Sequence, residues 1–277
     1  MNLRVGHIAY ANCAPFFHYL MDFGFHGKIH GGVPSELNAL LAQGKIDLSP
    51  SSTFEYGRNW RNYGLLQDLC ISSSGPVQSV LLFASRSLEK LTDVPVAMTG
   101  ESATSINLLR LLCLEFYGFP LCEMPCDKQS VEEIIAAGGS GLLIGDRALK
   151  AAMYIDVPYV YDLGQLWWQY TGLPFVFALW MIHRDAIQHK AQALSAFYLQ
   201  LQQSLDRALS DLDQLASQRP EAAWMGRERL AAYWRSMSYH FTDRHRQGLE
   251  HFFQLAVKHR LLQELPQLNF FQSCLLS

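Results

Sequence analysis

Three clusters of small hydroxyl residues hold most of the chemistry this chain can offer: Ser51-Ser52-Thr53, Ser72-Ser73-Ser74 and Ser102-Ala103-Thr104-Ser105. Each follows an apolar run of strand character, and the first and third lead straight into helix-patterned segments. A strand that ends in Ser or Thr where a helix begins leaves backbone N–H groups beside hydroxyl donors, with the positive end of the helix dipole behind them. Such a place receives a small anion, most naturally a carboxylate. The same residue types also make ordinary helix caps and turns, and for any one cluster both readings stand. Three in one chain point to a cleft that grips a small acid from several sides.

Other side chains can join that set. Asn12, within Tyr10-Ala11-Asn12-Cys13-Ala14-Pro15-Phe16, either caps a following helix or presents an amide that donates and accepts toward a hydroxyl or carboxylate. Asp146 ends the apolar run Gly141-Leu142-Leu143-Ile144-Gly145 and is a cap, an acid–base group or a hydroxyl acceptor. The ten histidines are scattered without an HExxH or other ligand pattern, and His7 reads as a core histidine near the expected cleft. Trp167, Trp168, Tyr170, Phe175, Phe177 and Trp180 form an aromatic block, mostly core, with one or two rings available to shield a ring-shaped ligand. Six cysteines lie mostly in apolar segments and form no CxxC, so they read as buried free thiols rather than zinc ligands. No P-loop, GxGxxG, GxSxG or Cys/His pairing occurs, which leaves nucleotide, flavin and acyl-enzyme chemistry without support; no cofactor and no metal is expected.

The elements that must position these groups alternate. Strand patterns at 3–9, 28–32 and 46–49 are separated by helix patterns at 14–21 and 34–41, with a further helix at 52–58. This β-α-β-α-β order implies parallel neighbours with right-handed crossovers, and ligands in such sheets bind at the carboxyl ends of the strands. Asn12, Ser51 and Ser52 fall there. Strands are expected at 79–84, 94–98, 141–146, 159–161 and 174–182, and helices at 106–117, 130–137, 148–153 and 163–170. Beyond Arg184 the pattern is helical, at 186–214, 227–239 and 244–262. The expected fold class is α/β, a two-lobed clamshell with a helical C-terminal extension. Residues 1–84 plus 178–277 form the first lobe and 85–177 the second, joined by two strand crossings.

Composition narrows the classes of function. The 277 residues are 49% hydrophobic and 17% charged with a net charge of −3, which suits a soluble protein of about two lobes and gives nucleic acid no basic surface. No apolar run approaches the ~20 residues of a membrane span. Residues 1–7 enter a strand pattern without a basic-then-apolar leader, so a cytoplasmic protein is expected, monomeric or homodimeric.

Several stretches together resemble a known family: residues 10–16, Val33-Pro34-Ser35-Glu36-Leu37-Asn38, residues 47–56 (DLSPSSTFEY), residues 73–83 (SSGPVQSVLLF), Glu101 to Ser105, Leu142 to Asp146, Tyr159 to Gly164 and Thr171 to Trp180. In number and order these are similar to the chorismate dehydratases, the first enzymes of the futalosine route to menaquinone, over about residues 3–185. Ser74 stands where that family often carries Asp before Gly-Pro-Val. The resemblance implies a periplasmic-binding-protein type II fold used as a cofactor-free cytoplasmic enzyme that converts chorismate to 3-(1-carboxyvinyloxy)benzoate and water. A 1,4-dihydroxy-6-naphthoate synthase of the same pathway ranks second, and a small-carboxylate solute-binding protein is the non-enzyme alternative. On this reading Asn12 and Ser79 orient the ring hydroxyl or the leaving water. Thr104 and Ser105 hold one carboxylate and Ser51 and Ser52 the other, with Tyr10, Ser102, Gly145 and Asp146 completing the binding set. The base is His7, Asp146 or the substrate's own enolpyruvyl carboxylate.

Overall fold

The first strand, β1 (Arg4–Ile8), is buried on both faces, with Val5 on one and Gly6 and Ile8 on the other, and the glycine has a steric reason: a Cβ there would lie 2.4 Å from Ser49 Oγ. The structure, a computed structural model, describes residues 2–124, 126 and 129–273. After β1 come a 3₁₀ turn (Ala11–Cys13), α1 (Ala14–Phe17), β2 (Lys28–Gly32), α2 (Pro34–Ala42), β3 (Leu48–Ser52), α3 (Thr53–Asn59) and β4 (Tyr63–Ser73). Then follow β5 (Val80–Ala84), β6 (Val96–Met98), α4 (Ala103–Leu111) with a π-helical continuation (Leu112–Tyr117), β7 (Glu123–Met124) and α5 (Val131–Ala136). Next are β8 (Ser140–Ile144), α6 (Gly145–Tyr154), β9 (Tyr159–Asp162), α7 (Leu163–Thr171) and β10 (Phe175–His183). The chain closes with α8 (Arg184–His189), α9 (Ala191–Ser210), α10 (Leu212–Ser217), α11 (Ala222–Met225), α12 (Arg227–Ser236), β11 (Met237–His240) and α13 (Asp243–Lys258).

These elements form two compact units. The first is Met1–Ile71, Ala178–Phe241 and Pro266–Ser277; the second is Ser72–Phe177 and Thr242–Leu265. The first unit's sheet has the order β11-β4-β10-β3-β1-β2. β1 runs parallel to β2 and β3, and β10 runs antiparallel to β3 with Ala178 opposite Ser52. The carboxyl ends of β1, β2 and β3 therefore share one edge. Its core centres on Phe16, against Trp180 at 5.3 Å and Tyr239 at 5.4 Å in edge-on geometry, with Phe197 beside Trp180. Each such ring contributes roughly 2–3 kcal/mol through burial.

The second unit's sheet has the order β7-β6-β8-β5-β9. β6 is parallel to β7 and β8, while β5 is antiparallel to both β8 and β9. The carboxyl ends of β6, β8 and β9 and the start of β5 share one edge. Its core joins Leu81, Phe83, Ala97, Val131, Ile135 and Leu143. A second layer sets Trp167 against Phe175 at 5.2 Å and Phe252 at 6.2 Å, so Trp167, Phe175 and Trp180 of the aromatic block are core.

The structure departs from the sequence pattern where long-range pairing decides. The helix expected at 227–239 stops at Ser236, and Met237–His240 becomes an edge strand beside β4. The helix expected at 186–214 is three helices, broken at Lys190 and Asp211. The first unit ends within β4, before Ser72, rather than near residue 84. The tail divides: α13 clusters with the second unit, where Phe252 faces Trp167, Arg244 donates to Gly172 O at 2.7 Å and Gly248 leaves room for Pro174 O. Cys13, Cys70 and Cys113 are buried thiols, but Cys122 is exposed and Cys126 half-buried; Cys274 lies outside the described residues.

Candidate functional site

At the carboxyl edge of the first sheet, β1 hands over to the 3₁₀ turn through Ala9, whose N–H bonds Gly32 O at 3.1 Å. Tyr10 precedes that turn in extended conformation, and Asn12 sits inside it. Asn12 is therefore no helix cap: Cys13 occupies that position for α1. The turn and α1 are held from the tail, because the buried Trp234 indole donates to Ala11 O in the turn at 2.8 Å and Ser204 Oγ donates to Phe16 O in α1 at 2.8 Å. A buried indole N–H needs an acceptor, and here it fixes the backbone that carries Asn12. Asn12 Oδ1 itself is buried and has no hydrogen-bond partner.

Ser51 and Ser52 lie within β3 rather than after it, opposite Leu179 and Ala178. Ser51 is fully buried and its Oγ also lacks a partner. Ser52 precedes α3 without a side-chain cap bond. A buried, unpaired polar atom costs about 1–3 kcal/mol. Asn12 Oδ1 and Ser51 Oγ are two such atoms, both toward the carboxyl edge of this sheet.

At the corresponding edge of the second unit, Ser79 and Gly145 are joined directly: Gly145 N donates to Ser79 O at 2.7 Å. Gly145 has φ +59, a conformation glycine takes cheaply, and opens α6 with Asp146 in its first turn, so Asp146 is helical rather than at a strand end. Ser102 caps α4: its Oγ accepts from Ser105 N at 3.2 Å and pairs with Ser105 Oγ at 3.1 Å. For Ser102 the cap reading holds, and Ser105 is the residue it caps. Thr104 is buried in the first turn of α4. Arg147 ties the preceding loop down, bonding Glu101 at 2.7 Å and Glu132 at 2.7 and 2.5 Å, and those carboxylates push its guanidinium further up. Thus Tyr10, Asn12, Ser51 and Ser52 gather on one unit, and Ser79, Ser102, Thr104, Ser105, Gly145 and Asp146 on the other. Asp162, which sequence reading passed over, belongs with the second group; the signal was an Asp three residues before Gln165, a capping spacing.

His7 stands in β1 with its ring 4.1 Å from that of Phe17. Burial, aided by the positive charge of Arg219 and opposed by Glu221, lowers it from 6.5 to about 4. It is neutral at pH 7 and available only as a weak base. The folded state resists a proton that the unfolded chain accepts, so this contribution is complete above pH 6.5 and is lost as pH falls toward about 4. The expected loss over that interval is about 3 kcal/mol. Denaturant unfolding of wild type and His7→Phe at both ends of the interval checks this: the variant should lose clearly less, and equal losses would refute it.

The chain matches, over residues 3–258, a family model described as menaquinone biosynthesis. It belongs to that family. A family relative, the chorismate dehydratase of Thermus thermophilus, is 35% identical over 258 residues, spanning 88% of this chain and 91% of the relative. Among solved structures, a protein of Archaeoglobus fulgidus superposes with a TM-score of 0.76 at 19% identity, covering 94% of this chain and 98% of its own. The periplasmic aliphatic sulphonate binding protein of Escherichia coli does so with a TM-score of 0.66 at 16% identity, covering 98% and 92%. The family fold here is thus the two-lobed α/β fold of periplasmic binding proteins. Among the described residues no helix is long and apolar enough to cross a membrane.

Proposed function

We propose that this chain is a chorismate dehydratase, a hydro-lyase that removes water from chorismate to give 3-(1-carboxyvinyloxy)benzoate in the cytoplasm. Family membership and the Thermus thermophilus relative support the reading. The observation that carries it is the pair of buried, unpartnered atoms Asn12 Oδ1 and Ser51 Oγ at a sheet's carboxyl edge.

The chemistry asks for what these edges offer. The C3 proton of chorismate is acidified through the ring diene by the ring carboxylate, and loss of that proton with the C4 hydroxyl makes the ring aromatic. Donors fixed on the ring carboxylate stabilise the dienolate that develops. Thr104 and the start of α4 take one carboxylate, with Ser102 and Ser105 shaping that helix start. Ser51 and Ser52 take the other. Asn12 and Ser79 orient the C4 hydroxyl, which leaves with a proton as water. The C3 proton passes to the substrate's own enolpyruvyl carboxylate, since His7 is a weak base, and the carboxylic acid so formed gives it to the departing C4 oxygen, which leaves as water and restores the carboxylate. Tyr10, Gly145 and Asp146 complete the binding set, and the protein's share of the catalysis is orientation and exclusion of water.

Purified protein incubated with chorismate in the presence of a chelator should convert it to an aromatic product one water lighter, followed by ultraviolet absorbance and mass. Chorismate bound and recovered unchanged would favour the solute-binding reading suggested by the Escherichia coli neighbour's fold; no binding would refute both.

A further inference from the structure

We infer that Asp162 is a positioning residue that holds the loop carrying Ser79 in a left-handed turn. The inference rests on the proposed role of Ser79 as a substrate contact. Asp162 ends β9 and caps α7, and its carboxylate reaches across to the entry of β5. Oδ1 accepts from Val77 N at 3.0 Å and Gln165 N at 3.1 Å, and Oδ2 accepts from Gln78 N at 2.6 Å. The amide of Gly164 adds to the same set.

These bonds hold a conformation that the loop resists by itself. Gln78 has φ +61, a region that residues with a Cβ enter at a cost. The next residue is Ser79, whose O accepts from Gly145 N and whose Oγ donates to Val77 O at 3.3 Å. Gly164 supplies a second grip. A Cβ there would sit 2.7 Å from Gly75 O and 2.8 Å from Ser73 Oγ, so only glycine lets α7 approach this closely. Asp162 and Gly164 thus fix residues 73–79 from two points. A carboxylate suits the first point because both its oxygens accept, whereas an amide would turn an NH2 toward one of the loop N–H donors.

The test uses the full chain with Asp162→Asn, Gly164→Ala and Asp162→Asn combined with Gln78→Gly. Asp162→Asn should lower kcat for chorismate at least about tenfold with KM within about twofold, and speed amide exchange at Val77 and Gln78 about 100-fold while β8 stays protected. Gly164→Ala should shift both readouts the same way. Glycine at position 78 takes φ +61 without cost, so the double variant should recover kcat several-fold over Asp162→Asn. Wild-type exchange and kcat in Asp162→Asn, or a kcat loss that follows only the unfolded fraction without rescue, would overturn the proposal. So would fast exchange at Val77 and Gln78 in the wild type, a measurement that needs no variant. A wild type that exchanges slowly there yet leaves chorismate untouched would defeat the proposed function and leave the clamp standing.

Discussion

Asn12→Ala lowers kcat for chorismate by about 100-fold, the size of loss expected when one preorganised group at a reacting centre is removed. The same change leaves stability unchanged or raises it. Asn12 Oδ1 is buried without a partner, so deleting it removes a desolvation cost and no bond to that atom. The turn itself does not depend on the side chain, because Trp234 Nε1 still grips Ala11 O. Ser51→Ala, which deletes the other unpartnered atom, should behave alike with a smaller loss of about tenfold. Steady-state kinetics together with thermal unfolding read both quantities. A residue of structural value would show the reverse, with normal turnover and a lowered Tm.

Asp47→Ala gives that reverse result, with about 3 kcal/mol of stability lost and turnover per folded molecule retained. Asp47 is 3% exposed and lies at the amino edge of the first sheet, away from Asn12 and Ser51. It accepts from Arg4 N and Nη2 at 2.7 Å each and from Lys190 Nζ at 2.8 Å, binding β1, the entry to β3 and the junction of α8 and α9 together. Removing one partner of a buried pair strands the others, typically at 3–5 kcal/mol; Arg4 is half-open to solvent, which puts the loss at about the low end. Burial raises this carboxyl, but hydrogen bonds from Arg4 and Lys190 outweigh it and leave Asp47 below its usual 3.8. A depressed folded-state value means the stabilisation is present above 3.8 and disappears as pH falls through the folded value. Denaturant unfolding at neutral pH checks the magnitude; a midpoint equal to wild type would contradict it.

What the sequence revealed and what it hid divide along the range of the interactions. β1, α2, β5, β8 and α7 are legible because their apolar periods are local. The local pattern puts Ser51 and Ser52 after a strand because nothing nearby announces β10, whose pairing carries β3 through Ser52. β11 carries a helical pattern because its four residues, Met237–His240, continue a helical run until β4 offers them a sheet edge. The cap reading of Ser102 was correct because its partner is three residues away, while Asn12 looked like a cap and is not one. Trp234 and Asp162 reach partners 223 and 85 residues distant, which no spacing rule anticipates. The family likeness was carried by the order of short motifs, not by any single one of them.

A crystal structure of the chain with 3-(1-carboxyvinyloxy)benzoate bound tests the central claim most directly. Ser51 Oγ should lie at about 2.6–3.2 Å from a product carboxylate oxygen, and Asn12 Oδ1, an acceptor facing a product without a donor, at that distance from an ordered water. A product seated elsewhere, with both atoms still unpaired, would contradict the account.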